Sequence, residues 1–247
     1  MMHAVQETIR TPRLRVAIVD DDENIREAWS DPVLHLSYTP VSISESLPSS
    51  LEEVAPFFRH RADALLCDHR LSHVSEYSRF NGAPVVAECY RACMPALLCT
   101  RWNEASADEI RRHRQFIPVI LSHEDSEDPD NIQRGFETCT REHKGLFSEA
   151  RRPWRVLIRV EDLEFEEYDE DVRFGDGENA FSRSRKIVDI CFTIVGWQRR
   201  VLRMPFRDLP GEVRREFLAG ARKFLHAEVN LGAGAVQDLY FSKWEPR

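Results

Sequence analysis

Two short apolar runs in this chain stop abruptly at aspartate. Leu14 to Val19 runs into Asp20, Asp21 and Asp22, and Ala64 to Cys67 runs into Asp68. A brief apolar run bounded by polar residues reads as a buried strand. Each run therefore delivers carboxylates at the C-terminal end of a strand, and any fold for this chain has to accommodate that.

The segments around these runs alternate strand with helix. Asp22 is suited to cap a helix over Glu23 to Trp29, and a second strand is expected near residues 35–43. Ser49 or Ser50 opens a helix from Leu51 to Arg59, with Leu51, Val54, Phe57 and Phe58 along one side. After Asp68 comes a polar loop, then a helix from Pro84 to Cys93. Further on come a strand from Pro95 to Cys99 that ends at Thr100, a charged helix from Ala105 to Phe116 with Ser106 as its cap, a strand from Pro118 to Leu121, and a helix from Asn131 to Ala150. Such alternation predicts an α/β fold, a doubly wound five-stranded parallel sheet with helices on both faces. In that architecture the C-terminal strand ends share one edge, where ligands bind.

The second half changes character, and a smaller α+β domain over 151–247 is expected after an α/β domain over 13–150. Residues 161–171 are almost wholly acidic, with Leu163, Phe165 and Tyr168 interspersed. Strands are expected at 154–160, 187–196, 200–206 and 237–243. A helix from Gly211 to Val229 would present Val213, Phe217, Ala221, Phe224, Leu225 and Val229 on one stripe, with His226 a surface or packing residue within it. Gly232-Ala233-Gly234 then reads as a helix stop.

Composition narrows the class of protein. Hydrophobic residues make up 42% of the 247, enough for a core. No apolar run reaches the ~18 residues of a membrane span, and the first residues lack a signal-peptide apolar core. A cytoplasmic protein is expected. Its six cysteines form no C-x-x-C pair and read as reduced, buried thiols. The net charge is −8; residues 151–247 hold 18 Lys+Arg against 17 Asp+Glu, so the first half carries −9. An acidic first half argues against nucleic-acid binding there. The basic clusters Arg183-Ser184-Arg185-Lys186 and Arg199-Arg200 read as solvated strand or loop residues. His69 and His73 read as exposed loop histidines rather than metal ligands.

The segments Val16 to Ile25, Ala62 to Leu71, Asn81-Gly82 and Ala96 to Thr100 resemble, in order and spacing, the receiver domain of bacterial response regulators, over roughly 55% of the chain. That resemblance implies that Asp20 and Asp21 hold Mg²⁺ together with Asp68 and the backbone carbonyl of Arg70. It implies that Asp68 accepts a phosphoryl group from a histidine kinase or phosphotransfer protein, and that Thr100 hydrogen-bonds that group. Carboxylates brought together repel, and a hard divalent cation relieves them.

Two residues depart from the family pattern. Receivers carry a lysine at the end of strand five; here Ser122 or His123 stands there. The usually small residue after Thr100 is Arg101, which covers the pocket or supplies the missing charge. The domain is accordingly either phosphorylated or a degenerate pseudo-receiver. The second half is expected to relay the signal by contact with another signalling protein or by homodimerisation. Two alternatives stand beside this: a DNA-binding response regulator with an atypical output domain, against which the lack of a helix pair and the acidic stretch both argue, and a Mg²⁺-dependent phosphatase. The triplet Asp20-Asp21-Asp22 with Thr100 and Glu124-Asp125 is superficially similar to haloacid-dehalogenase-like phosphatases, a reading that leaves Asp68 unexplained.

Overall fold

The computed structural model describes residues 13–71, 76–101, 104–173, 179–198, 200–219 and 223–247. The chain divides between Phe147 and Ser148 into two compact units.

The first unit alternates strand and helix: β1 (Arg15–Val19), α1 (Glu23–His35), β2 (Thr39–Ser42), α2 (Leu51–Arg59), β3 (Ala64–Asp68), α3 (Gly82–Arg91), β4 (Ala96–Cys99), α4 (Glu104–His113), β5 (Ile120–Leu121) and α5 (Pro129–His143). The sheet order is β2-β1-β3-β4-β5, and every pairing is parallel. This is the flavodoxin-like doubly wound order, the one shared by flavodoxin and the receiver CheY. One core packs on each face of the sheet. Ala17, Val19, Leu65, Cys67 and Leu98 meet α2 and α3 through Val54, Phe58, Val85, Val86 and Cys89. Val16, Ile18, Ala64, Leu66 and Leu97 meet α1 and α5 through Trp29, Val33, Ile132, Phe136 and Cys139.

Several boundaries depart from the sequence expectations, each for a local reason. Helix α1 does not end at Trp29; it continues through Pro32 to His35, because burial of Trp29 and Val33 outweighs the proline's lost backbone bond. The second strand is accordingly short. Ser106 lies inside α4 and is no cap, and the last turn tightens to a 3₁₀ helix at Arg114–Phe116. Helix α5 stops at His143 rather than Ala150, where Gly145 takes φ +77°. At its other end Asp128 accepts from the Asp130 N–H at 3.0 Å. Asp128→Ala is expected to cost about 1 kcal/mol of stability in urea unfolding, the usual worth of a helix cap.

The second unit is an antiparallel sheet in the order β10-β9-β6-β7-β8. Its strands are β6 (Trp154–Arg173), β7 (Asn179–Ile194), β8 (Leu202–Pro205), β9 (Phe224–Val229) and β10 (Phe241–Pro246), and α6 (Gly211–Ala219) lies between β8 and β9. The core gathers Val156, Ile158, Ile190, Phe192, Leu225, Val229 and Trp244 with Val213 and Phe217 of α6. The acidic stretch 161–171 is not a separate feature but the distal half of β6.

The expected helix from Gly211 to Val229 is two elements. In β9, Leu225, Ala227 and Val229 are buried while alternate residues are half-exposed, which is strand periodicity. Phe224 and Leu225 match a helical stripe only by being adjacent. His226 therefore sits on a strand, and Ala221 lies outside the described residues. Gly232 follows that strand rather than a helix. An added Cβ there would lie 2.2 Å from the Glu149 carbonyl oxygen, so its role is close backbone approach. Of the cysteines, Cys93 is exposed and Cys191 half-exposed, against the expectation of burial; Cys67, Cys89, Cys99 and Cys139 are buried.

Candidate functional site at the carboxyl edge of the parallel sheet

Parallel register brings three strand ends together. Val19 lies opposite Cys67, and Asp68 opposite Cys99. Asp20 consequently comes level with Asp68, and Thr100 lies one residue beyond it, along a single edge. The ladder continues past the strands, since His69 N–H donates to Cys99 C=O at 2.9 Å and Thr100 N–H to Leu121 C=O at 3.0 Å.

The Asp20 side chain is buried, and its Oδ1 accepts from the Asp22 N–H at 2.7 Å. Burial pushes the Asp20 carboxyl up to about 7, with smaller upward pushes from Asp68 and Asp21, against the Asp22 N–H that favours its charged form. The Asp68 carboxyl is also raised, first by burial, although its Oδ2 accepts from the Arg70 N–H at 2.6 Å. The three carboxylates thus form one electrostatic group. The Thr100 hydroxyl is buried at this edge and has no hydrogen-bond partner among the described residues. A buried hydroxyl left unpaired is costly and marks a place where a ligand atom would be satisfied.

The backbone beside Asp68 is held from across the loop. Gly82 N–H donates to His69 C=O at 2.7 Å. A Cβ on Gly82 would lie 1.9 Å from the Asp68 carbonyl oxygen, so only glycine permits this approach.

Ser122 and His123 follow the end of β5, and both engage neighbours in their own turn. The Ser122 hydroxyl donates to Asp125 Oδ2 at 2.7 Å and accepts from the Asp125 N–H, which closes a local turn. His123 Nε2 lies 3.7 Å from Glu127 Oε1, and its ring leans towards Trp29. Arg101 is exposed. His69 is buried, not a loop surface residue; its Nε2 lies 3.7 Å from Glu109 Oε2, which also accepts from Asn81 Nδ2 at 2.6 Å. His73 falls outside the described residues.

One participant escaped the sequence reading. Arg26 is buried, its guanidinium donating to the Asp20 C=O at 2.7 Å and to Ser42 Oγ at 3.2 Å. It fixes the backbone that carries Asp20. A helical arginine normally faces water, and nothing in its spacing distinguished this one.

The donor chemistry suits a hard divalent cation: oxygen ligands whose charges oppose one another. As the side chains stand, no three His, Cys, Asp or Glu among the described residues converge closely enough to hold a metal ion. A cation would have to draw Asp20, Asp21 and Asp68 inward.

No family model matches this chain, and no curated protein matches it. Among solved structures it is similar to a response regulator receiver domain protein from Clostridium thermocellum, at 11% identity and a TM-score of 0.40, over 54% of this chain and 99% of that one. It is also similar to the signal receiver domain of a modulated diguanylate cyclase from Desulfovibrio desulfuricans G20, at 18% identity and a TM-score of 0.41, over 54% of this chain and 98% of that one. A third similarity is to the chemotaxis response regulator CheY4 of Vibrio cholerae, at 16% identity and a TM-score of 0.36, over 52% and 99%. At these identities and scores the likeness carries no argument of its own; the fold rests on the strand order and parallel pairing.

Proposed function

We propose that the first unit is a receiver-type signalling domain in which Asp68 accepts a phosphoryl group. The observation that carries this reading is the unpaired, buried Thr100 hydroxyl at the same sheet edge as Asp68 and the raised Asp20 carboxyl. An Asp68 oxygen attacks phosphorus, the bond from phosphorus to the donor's imidazole nitrogen or acyl oxygen breaks, and the donor leaves with that electron pair. Asp20, Asp21, Asp68 and the Arg70 carbonyl would hold Mg²⁺, whose charge offsets that of the phosphoryl oxygens. Thr100 donates its free hydroxyl to a phosphoryl oxygen. The donor is a histidine kinase or phosphotransfer protein of the cytoplasm.

Arg101 takes the place of the absent lysine as the cation facing the phosphoryl group. In this reading it swings over the pocket once the negative charge arrives. The second unit relays the change by protein contact, with a partner or a second copy. Its described residues contain one α-helix, α6, and no helix pair of the DNA-reading type.

A second reading rests on the engagement of Ser122 with Asp125 and His123 with Glu127. With no cation built into the end of β5, the domain would signal as a pseudo-receiver, without phosphoryl transfer. One experiment separates the two. The full chain incubated with Mg²⁺ and acetyl phosphate gains one phosphoryl group by intact mass, and Asp68→Asn gains none. Arg101→Ala slows the gain at least about tenfold, the worth of one charge-assisted contact. A folded wild-type chain that gains nothing is a pseudo-receiver. A gain that survives in Asp68→Asn contradicts both readings.

A further inference from the structure

The second unit's sheet blunts its two outermost strands and leaves one inner strand partly open. Strand β8 is four residues long and ends at Pro205. Strand β10 shifts register between Ser242 and Glu245, carries Lys243 at φ +47°, and ends at Pro246. Short strands, irregularities, lysine and proline are the usual devices against stray edge pairing.

Strand β6 is neither short nor stopped by proline along its distal half; what it carries there are two register shifts and a run of acidic side chains. Residues Trp154 to Arg159 pair with β9, and Val160 N–H donates to the Lys223 C=O at 2.8 Å. Beyond that point, among the described residues, β6 pairs with β7 alone, as far as Arg173 opposite Asn179. From Asp162 to Glu164 the far side of β7 still pairs with β8; past Glu164 the two strands leave the sheet as a ribbon, with register shifts between Val160 and Asp162 and between Glu164 and Phe165. A two-stranded ribbon is marginal in water, and a third strand would stabilise it. The outer edge of β6 offers backbone donors and acceptors for one.

The charge of that edge selects the occupant. Residues 161–173 hold eight acidic residues and one arginine, against three cations and no acid on 179–188. Glu161, Asp162, Glu166 and Glu167 are exposed. Some of this charge is answered within the sheet: Arg159 of β6 contacts Glu161 at 2.8 Å, Arg185 of β7 contacts Glu167 at 3.0 Å, and Arg203 of β8 contacts Glu164 at 2.5 Å. The remaining excess lies on the β6 side. A second copy adding its own β6 edge would set acid against acid, and a nucleic acid backbone would be repelled as well.

We propose that the outer edge of β6, from Glu161 to Glu167, takes an extended, Lys/Arg-rich segment of a partner protein as an added strand. Backbone ladder bonds hold the segment, and its cations face the acidic side chains; the pairing combines strand addition with charge selection. This deepens the contact role proposed for the second unit and is independent of chemistry at Asp68.

The test uses the full chain and three labelled octapeptides: alternating Lys-Val, alternating Glu-Val, and alternating Lys-Pro, which keeps the charge but removes every second N–H. Lys-Val binds, and the amides of 161–167 exchange more slowly with it bound. Lys-Pro binds at least about tenfold more weakly and Glu-Val does not bind. The exposed-site variant Asp162→Asn with Glu166→Gln binds Lys-Val several-fold more weakly while keeping its circular dichroism. Asp68→Asn binds it as wild type does, so loss of phosphoryl transfer and loss of peptide binding are read separately. No binding of Lys-Val, equal binding of Lys-Pro, unchanged exchange at 161–167, or self-association that protects those amides would each overturn the proposal.

Discussion

Gly82→Ala is expected to destabilise the first unit by about 3 kcal/mol, at the upper end of the range for overpacking a close-packed site. The added carbon would lie 1.9 Å from the Asp68 carbonyl oxygen and 3.0 Å from the His69 Cα. Both neighbours are backbone, so no side chain can swing away. Relief requires the start of α3 to back off from β3, which stretches the 2.7 Å bond from Gly82 N–H to His69 C=O. The backbone that aims the Asp68 carboxylate then moves with it. Urea unfolding followed by helical circular dichroism checks the stability loss. A change under about 1 kcal/mol would show that this contact is slack. Gly145→Ala is the matched control, since nothing lies within 4 Å of its added carbon and its only cost is the strain of φ +77°.

Asp20→Asn is expected to stabilise the protein at pH 8 by about 2 kcal/mol in the absence of divalent cations. The folded carboxyl is raised from 3.8 to about 7. Below 3.8 the group is protonated in both states, and the favourable contribution is fully present. Between there and about 7 only the folded state keeps the proton, so stability falls as pH rises. Above 7 the buried charge is unrelieved. The full shift corresponds to about 4 kcal/mol, of which relaxation and solvent leave about half. Asn keeps the oxygen that accepts from Asp22 but has no charge to bury. The gain should therefore vanish near pH 4. The raised Asp68 carboxyl adds to the wild-type slope with the same sign. Urea midpoints with EDTA at pH 4 and pH 8, for wild type and variant, decide it. Equal differences at both values would show that Asp20 is not buried as a charge.

The contrast between the two halves shows what sequence can carry. The parallel sheet was legible because β1, β3 and β4 are continuous apolar runs, buried on both faces, and the first two of them run into aspartates. Asp20 and Asp68 could be placed from that alone. The helix over 211–229 failed because Leu225 and Val229, four residues apart, fit both a 3.6 and a 2.0 period when read without their partners. What fixed β9 as strand is its pairing with Trp154 to Arg159, distant in sequence. The strand expected at 154–160 extends through the acidic stretch to Arg173, and its length was missed for a related reason: charged residues mask a strand whose register is set by β7 opposite it. Burial of Arg26 and His69 is likewise tertiary. Each is enclosed by elements that lie next to it only after folding.

The central claim is that strand ends far apart in sequence make one cation-responsive site. Carbon-13 spectra of the aspartate carboxyls, recorded through a Mg²⁺ titration at neutral pH, test it directly. The account predicts that the Asp20 and Asp68 signals move along a single saturation curve, and that Asp68→Asn weakens the response of Asp20. An Asp68 signal that stays still while Asp20 saturates, or two unrelated curves, would contradict it.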